Sequence, residues 1–431
     1  MKKSNKTIKV DYLARVEGEG AFYVQTEGDK VTKSELRIFE PPRFFEGFLE
    51  GRSFTEAPDI TARICGICPV AYQMSSVHAM EKICQFKIDP VVRELRRLLY
   101  CGEWIESHAL HTFMLHAPDF LGYPDAIAMA KDHKEWVLKA LQLKKAGNNI
   151  VNFIGGREIH PINVKVGGFY RYPQKKEFKE LRNELVKAME IAHDAAIWMS
   201  GLTIPNLEVD YEFVSLHHEN EYAMNEGILV SNKGLKVNID DYENHFDEEH
   251  MHYSTTLHSL LDGTKIFHTG PLARYSNNWD QLSDESKKLS QKVHLDKNCN
   301  NPFKSILVRM LEIFYACGEA LRIIDSYEFP IGIKDVVKPQ KGYGSAVTEA
   351  PRGILFHSYE LNEKGIIKNA KIVAPTSHNQ KIIEEDLKRV VEKNIDMDQN
   401  ALTHICEQSI RNYDPCISCS THFLKLAIDR Q

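Results

Sequence analysis

Apolar and polar positions alternate from residue 7 to residue 40, broken by a turn signal at Glu27-Gly28-Asp29, so the chain is expected to open with an N-terminal antiparallel sheet. The period lengthens near residue 91. From 91 to 147, Leu95, Leu98, Leu99, Ile105, Leu110 and Met114 recur at threes and fours, which predicts a helical stretch. A second long helix is predicted over 176–201, between Tyr172-Pro173 and Ser200-Gly201, and a third over 302–326. Residues 202–300 are mixed, with polar runs such as 239–250 that read as surface excursions. Residues 352–374 read as a hairpin turning at Asn362-Glu363-Lys364-Gly365, and helices return over about 381–410. No repeat, low-complexity run or linker punctuates this order. The expected architecture is α-rich α+β, one intertwined unit over 1–431. It comprises the β element at 7–40, a core of long helices with insertions over 91–330, the hairpin, and C-terminal helices over 381–422.

Composition contributes mainly exclusions. At 431 residues, length alone would allow two or three domains. A net charge of -6 gives no basic footprint, so nucleic acid is not an expected partner. No run approaches the length of apolar sequence that a membrane span needs. The opening MKKSNKTIKV has positive charges without an apolar stretch behind them, unlike a secretion signal, and the expected compartment is cytoplasmic. Nine cysteines, an odd number, argue against a disulfide framework and for buried thiols plus metal ligands. Cys84, Cys101, Cys299, Cys317 and Cys406 stand alone in apolar or helical contexts, as small core residues do.

The remaining four form Cys65-Gly66-Ile67-Cys68 and Cys416-Ile417-Ser418-Cys419. C-x-x-C spacing lets two thiolates grip one metal centre from a single turn. A coordinated thiol is deprotonated outright, so the site must be shielded. Four thiolates suit zinc, iron-sulfur clusters, or nickel and iron. Zinc ribbons place their pairs roughly 15–20 residues apart, whereas here most of the sequence lies between Cys68 and Cys416. On spacing, a zinc staple between the two ends stays open. A redox pair of the thioredoxin kind would need a βαβ context that is not visible.

The flanks of the pairs carry more. Arg63-Ile64-Cys65-Gly66-Ile67-Cys68-Pro69 and Asp414-Pro415-Cys416-Ile417-Ser418-Cys419-Ser420-Thr421-His422 resemble the two signature motifs of nickel-iron hydrogenase large subunits. Arg15-Val16-Glu17-Gly18 resembles the family's R-[IV]-E-G, and Glu46 falls where the family has a metal-binding acid. Gly155-Gly156-Arg157, His160-Pro161 and Gly167-Gly168 resemble the family's central segment of G-G-R, H-P and G-G. Glu349-Ala350-Pro351-Arg352-Gly353, and Pro375-Thr376 with Asn379, are similar to the loops that wrap the cluster. The motifs keep the family's order over nearly the whole sequence.

By this resemblance the fold is that of a hydrogenase large subunit, and the protein reversibly cleaves H2 at a Ni-Fe(CO)(CN)2 centre. Cys65, Cys68, Cys416 and Cys419 would bind nickel, and Cys68 and Cys419 would also bridge to iron. Arg352 would lie over the open metal position, held by a bidentate pair with Asp414. Glu17 would relay protons from a terminal nickel thiolate, Cys416. Pro351, Arg352, Pro375 and Thr376 would surround the diatomic ligands, with Thr376 donating its hydroxyl to a cyanide nitrogen. Glu46, the backbone carbonyl of Ile372 and the side chain of His422 would hold magnesium. Without the resemblance, Glu17 and Glu46 read as surface acids and Arg352 as an ordinary ion-pairing arginine. His108, His111 and His116 are expected as supporting or core histidines.

Tyr72 and Ser107 stand where many relatives carry a histidine and an acid, and Glu19 where a histidine is common after R-[IV]-E-G. With the short length, these departures resemble the cytoplasmic branch that couples H2 to NAD(P) or a deazaflavin. Nine residues, Phe423 to Gln431, follow the last motif as a tail or propeptide. No further cysteine cluster could hold an iron-sulfur centre, and no G-x-G-x-x-G occurs. The expected partners are therefore an iron-sulfur small subunit together with flavin and NAD(P) reductase subunits. The rival readings are a membrane-bound hydrogen-evolving complex, the metal-free quinone-site relative, and a zinc-stapled scaffold.

Overall fold

The computed structural model describes residues 5–333 and 336–421. Strands β1 (Thr7–Val10), β2 (Gly20–Glu27) and β3 (Lys30–Ile38) form the expected N-terminal antiparallel sheet. Glu27 faces Lys30 across its turn, where Gly28 takes a left-handed φ of 60°. Phe22, Val24, Leu36 and Ile38 from β2 and β3 are buried.

The core is helical. Helix α1 (Pro69–Ile83) is followed by α2 (Pro90–Ala109), α3 (Lys134–Gly155) and α4 (Lys179–Ser200). Next come a short α5 (Pro271–Asn278) and a long α6 (Ser305–Ser326). Helix α2 packs against α3 and α6, and α6 against α4. Asp89 starts α2 by accepting the Val91 N–H at 2.8 Å, with Pro90 in the first turn. At the α2–α3 crossing, a Cβ on Gly147 would lie 2.6 Å from the Gly102 carbonyl oxygen, so only glycine permits this approach.

Three expectations are corrected here. The stretch 91–147 is not one helix. It widens into a π-turn over Leu110–His116, ends in a short helix at Gly122 (φ 76°), and resumes as α3. Pro118 supplies the reason, because a proline in a helix cannot donate and crowds the carbonyl one turn back. A wider turn, in which the Ala117 N–H bonds the Thr112 carbonyl, accommodates it. The expected hairpin exists as β5 (Gly353–Leu361) and β6 (Ile367–Val373), but a further strand β4 (Gly342–Ala350) completes a β4-β5-β6 sheet. Residues 344–350 of β4 are all buried, so they show no alternation. Helix α7 (Pro375–Lys393) starts at Pro375 rather than near 381, because proline suits a first turn after the extended Ala374. Helix α8 (Gln399–Arg411) follows, capped by Asp398.

Within 202–300, Val214–His217, Ile228–Ser231 and Lys236–Val237 form a small sheet. The polar run 239–250 is only partly a surface excursion: Tyr242 and Phe246 are buried, and Tyr242 stacks on Phe356 at 3.8 Å. The whole is an α-rich α+β fold. No helix of the described residues is long and apolar enough to cross a membrane. A strap at Arg15–Gly18 and the segment at Arg43 both meet the C-terminal motif: Ile417 N–H donates to the Glu17 carbonyl at 3.0 Å and Arg43 N–H to the Thr421 carbonyl at 2.7 Å.

Candidate metal centre

Both C-x-x-C turns arrive at one buried point. The first lies between a short helical turn ending at Ile64 and the start of α1. There the N–H groups of Ile67 and Cys68 both donate to the Cys65 sulfur, each at 3.3 Å. The second opens a four-residue helix, Ile417–Ser420. Sγ of Cys65 lies 3.6 Å from that of Cys416, and Sγ of Cys68 lies 3.7 Å from that of Cys419. All four sulfurs lie within 4.8 Å of one another, and all four residues are buried free cysteines. Hydrogen bonding from Cys416, Cys419 and Cys68 holds the Cys65 thiol well below its usual range, while burial pushes Cys416 well above it. Four buried thiols this close together cannot all ionise unless a cation is shared among them. The donor set fits a thiophilic metal centre.

The strap at Arg15–Gly18 closes one side. Oε2 of Glu17 lies 3.1 Å from Sγ of Cys416 and accepts the Ser418 N–H at 3.0 Å. Gly18 (φ 88°) makes this approach possible, since a Cβ there would come 2.7 Å from Cβ of Ile417. Arg15 donates to the Leu115 carbonyl at 2.8 Å and pairs with Asp119, whose two oxygens also accept from Nη1 of Arg411 at 2.9 and 3.0 Å. Arg43 ties the two turns together by donating to the carbonyls of Ile64 and Ser418.

Arg352 sits at the tip of the β4–β5 turn beside Pro351, where Ala350 faces Gly353. Its Nε donates to the Asp414 carbonyl at 2.8 Å. Nε also lies 3.1 Å from Oδ2 of Asp414, and Nη2 3.3 Å from Oδ1. Burial opposes the guanidinium charge, but Asp414 and the thiols of Cys416, Cys68 and Cys65 more than offset it, so Arg352 stays protonated. Asp414 itself takes a left-handed φ of 51° to make this bond. Pro375 and Thr376 begin α7; Oγ1 of Thr376 accepts the Cys416 N–H at 3.0 Å, which leaves its own hydroxyl hydrogen to donate.

Glu46 and Ile372 are also brought together: the Ile372 N–H donates to Oε1 of Glu46 at 2.8 Å. They share a cavity of about 890 Å³ with Pro42, Glu243, Asp247 and Ser420. His422 and the tail 423–431 lie outside the described residues. His108 and His111 serve the core, bonded to Glu312 and to the Arg411 carbonyl at 2.9 and 2.8 Å, and burial lowers His108 to about 4. Tyr72 bonds the Cys419 carbonyl at 3.3 Å. Sequence reasoning missed Glu103 of α2, whose carboxylate takes the N–H groups of Val70 and Ala71 at 2.6 and 3.1 Å and so anchors the start of α1. It also missed Arg274, Glu312 and Asp119. A charge inside an otherwise apolar helical stretch, as at Glu103 beside Trp104-Ile105, is the signal that could have found the first.

The family model for nickel-dependent hydrogenase matches residues 43–136 and 220–422. The chain belongs to that family. As a hydrogenase large subunit, it is similar to the alpha subunit of sulfhydrogenase 1 of Pyrococcus furiosus, 32% identical over 99% of this protein and 100% of the relative. It is also similar to an F420-non-reducing hydrogenase vhc subunit of Methanococcus voltae, 28% identical over 96% of this protein and 94% of the relative. Its fold matches the crystal structure of an NAD+-reducing [NiFe]-hydrogenase in the H2-reduced state. That match has a TM-score of 0.86 and 23% identity, covering 97% of this protein and 99% of the other. This hydrogenase is an oxidoreductase of H2, with a cysteine tetrad suited to nickel and iron.

Proposed function

We propose that Cys65, Cys68, Cys416 and Cys419 hold a Ni-Fe(CO)(CN)2 centre, Cys68 and Cys419 bridging to the iron, at which H2 is cleaved reversibly and heterolytically. The observation that carries this reading is the convergence of four buried thiols from the two ends of the sequence, with Glu17 on one sulfur and Arg352 alongside. When bound, the centre supplies the hydrogen-activating and electron-accepting chemistry that no side chain possesses. The protein's own residues manage the proton and the field. Glu17, in contact with Sγ of Cys416, takes the proton from that sulfur and passes it outward. Arg352, fixed by Asp414, presents a permanent positive charge to the open face of the site. Thr376, whose hydroxyl hydrogen is left to donate, would serve a cyanide nitrogen of the bound centre, and Pro351 and Pro375 would wall off water.

Glu46, the Ile372 carbonyl and His422 form the magnesium site of this reading, with water completing the oxygen shell. The whole sequence, 1–431, acts as one unit. Electrons leave through an iron-sulfur small subunit to flavin and NAD(P) reductase subunits in a cytoplasmic complex. Support for that acceptor comes from the fold shared with an NAD+-reducing enzyme.

The test is an infrared spectrum of the purified complex with nickel analysis. One carbonyl and two cyanide bands, lost in Cys419→Ala, are expected, together with H2-dependent NAD(P) reduction. Zinc in place of nickel with no such bands would sink the centre. Bands and H2 turnover without NAD(P) reduction would sink only the acceptor.

A further inference from the structure

Behind the turn that carries Arg352 lies a second arginine with every donor spent. Arg274, fully buried on α5, donates through Nη1 to the Ala350 carbonyl (2.7 Å) and to Oε2 of Glu349 (3.0 Å). Its Nη2 donates to the Pro351 carbonyl and to Oε2 of Glu312, both at 2.8 Å, and its Nε to Oε1 of Glu312 at 3.0 Å. A guanidinium has five N–H groups, and all five are used. The Trp104 ring lies under it, 4.4 Å from centroid to Cζ, while the Trp104 indole N–H donates to the Glu349 carbonyl at 3.1 Å. Three successive carbonyls, 349 to 351, are therefore held from behind.

The acids that balance Arg274 are themselves fixed. Glu312 also accepts from the Tyr222 hydroxyl and bonds Nε2 of His108, both at 2.9 Å, and Glu349 accepts the Leu216 N–H at 2.8 Å. Two glycines let the elements meet. A Cβ on Gly270, which precedes α5, would lie 2.7 Å from the Arg352 carbonyl oxygen, and one on Gly353 would lie 2.7 Å from the Thr269 side chain. The structure thus abuts the start of α5 directly against the Arg352-Gly353 turn.

We infer that Arg274, backed by Glu312, is a positioning residue for H2 turnover that acts through Arg352 by holding the carbonyls of Ala350 and Pro351, while Trp104 holds that of Glu349. This rests on the function proposed above for the tetrathiolate site. The alternative is that Arg274 only neutralises buried acids, which would affect folding and leave the electronic state of the centre untouched. A lysine keeps the charge but lacks the planar five-donor fork, so Arg274→Lys separates the two.

In the assembled complex, Arg274→Lys is expected to keep its nickel while the carbonyl and cyanide bands move from their wild-type positions. H2 turnover should fall about tenfold at little-changed KM. Adding Arg274→Lys to Arg352→Lys should cost nothing further, because the two act as one unit. Wild-type bands and turnover in Arg274→Lys, or losses that add in full in the double variant, would overturn the inference. Should Arg274→Lys take up no nickel, Trp104→Phe decides on the same readouts, since it deletes one N–H and keeps an aromatic ring. Displaced bands with a smaller loss of turnover are expected, and an unchanged spectrum and rate would overturn it. Absence of the bands from the wild type would overturn the function itself, and with it this inference.

Discussion

Cys65 and Cys68 stand at the head of a buried 15-residue helix, whereas Cys416 and Cys419 open a helix of four residues pressed against the N-terminal strap. Around the first pair the polar partners are backbone groups: two N–H groups point at the Cys65 sulfur, and the nearby acid, Glu103, spends itself on the N–H groups of Val70 and Ala71. Around the second pair an acid reaches the sulfur itself, Glu17 on Cys416. Identical spacing thus supports two tasks. Under the function proposed above, the first turn holds the metal and the second both holds it and exchanges a proton. Both acids accept backbone N–H groups, Glu17 from Ser418 and Glu103 from Val70 and Ala71; what separates them is that Glu17 also touches a thiol.

If that contrast is right, the pairs are equal as ligands and unequal as chemistry. The largest effect should be symmetrical: Cys65→Ala and Cys416→Ala should each abolish nickel binding by elemental analysis, and retention in either would break the equality. The next should be one-sided. Glu17→Gln should keep nickel and lose about 10²-fold or more in H2 turnover, while Glu103→Gln, which keeps one acceptor oxygen for the Val70 N–H and touches no thiol, should lose far less. Equal losses in the two assays would erase the distinction.

A smaller effect concerns stability on the first pair's side. Burial, only partly countered by Lys144, raises Glu106 to about 7, against roughly 4.3 for an unfolded glutamate. The folded state therefore favours the protonated acid. Its contribution is whole below about pH 4.3 and is lost as pH rises through about 7. Denaturant unfolding should show Glu106→Gln gaining on the wild type across that window, by at most about 4 kcal/mol; parallel curves would contradict it. The smallest contrast pits Gly18→Ala against Gly66→Ala. The first places a Cβ 2.7 Å from Ile417 at a left-handed φ and should cost about 2 kcal/mol in thermal unfolding. The second meets only Ile159 at 3.9 Å and should stay within about 0.5 kcal/mol.

What could be read from the sequence follows from how each element is buried. The N-terminal sheet shows because it is half buried and alternates, and the long helices show by their threes and fours. Strand β4 does not show, being enclosed along 344–350. The π-turn over Leu110–His116 does not show either, because a single Pro118 does not announce whether a helix will kink, widen or stop. The convergence of the four cysteines could be expected from their flanks, and so could the placing of Glu17, Arg352 and Asp414 beside them. That of Arg274, Glu312 and Asp119 could not, since a charged residue on a helix reads as a solvated one until the fold encloses it. In α2 alone, Arg96, Arg97, Glu103 and Glu106 are all buried.

The backbone bond between Glu17 and Ile417 has a consequence in time. A ribosome makes the protein from its N-terminus, so the strap and the first cysteine pair exist long before the second pair is translated. The entropy of closing so long a loop grows only logarithmically, so the delay adds little energetic cost. It does, however, leave Cys65 and Cys68 without their partners Cys416 and Cys419 until the end of synthesis. Such a pair does not discriminate among thiophilic ions. Under the function proposed above, selectivity among such ions would therefore belong to the moment when the last segment docks, since only then are four thiols present.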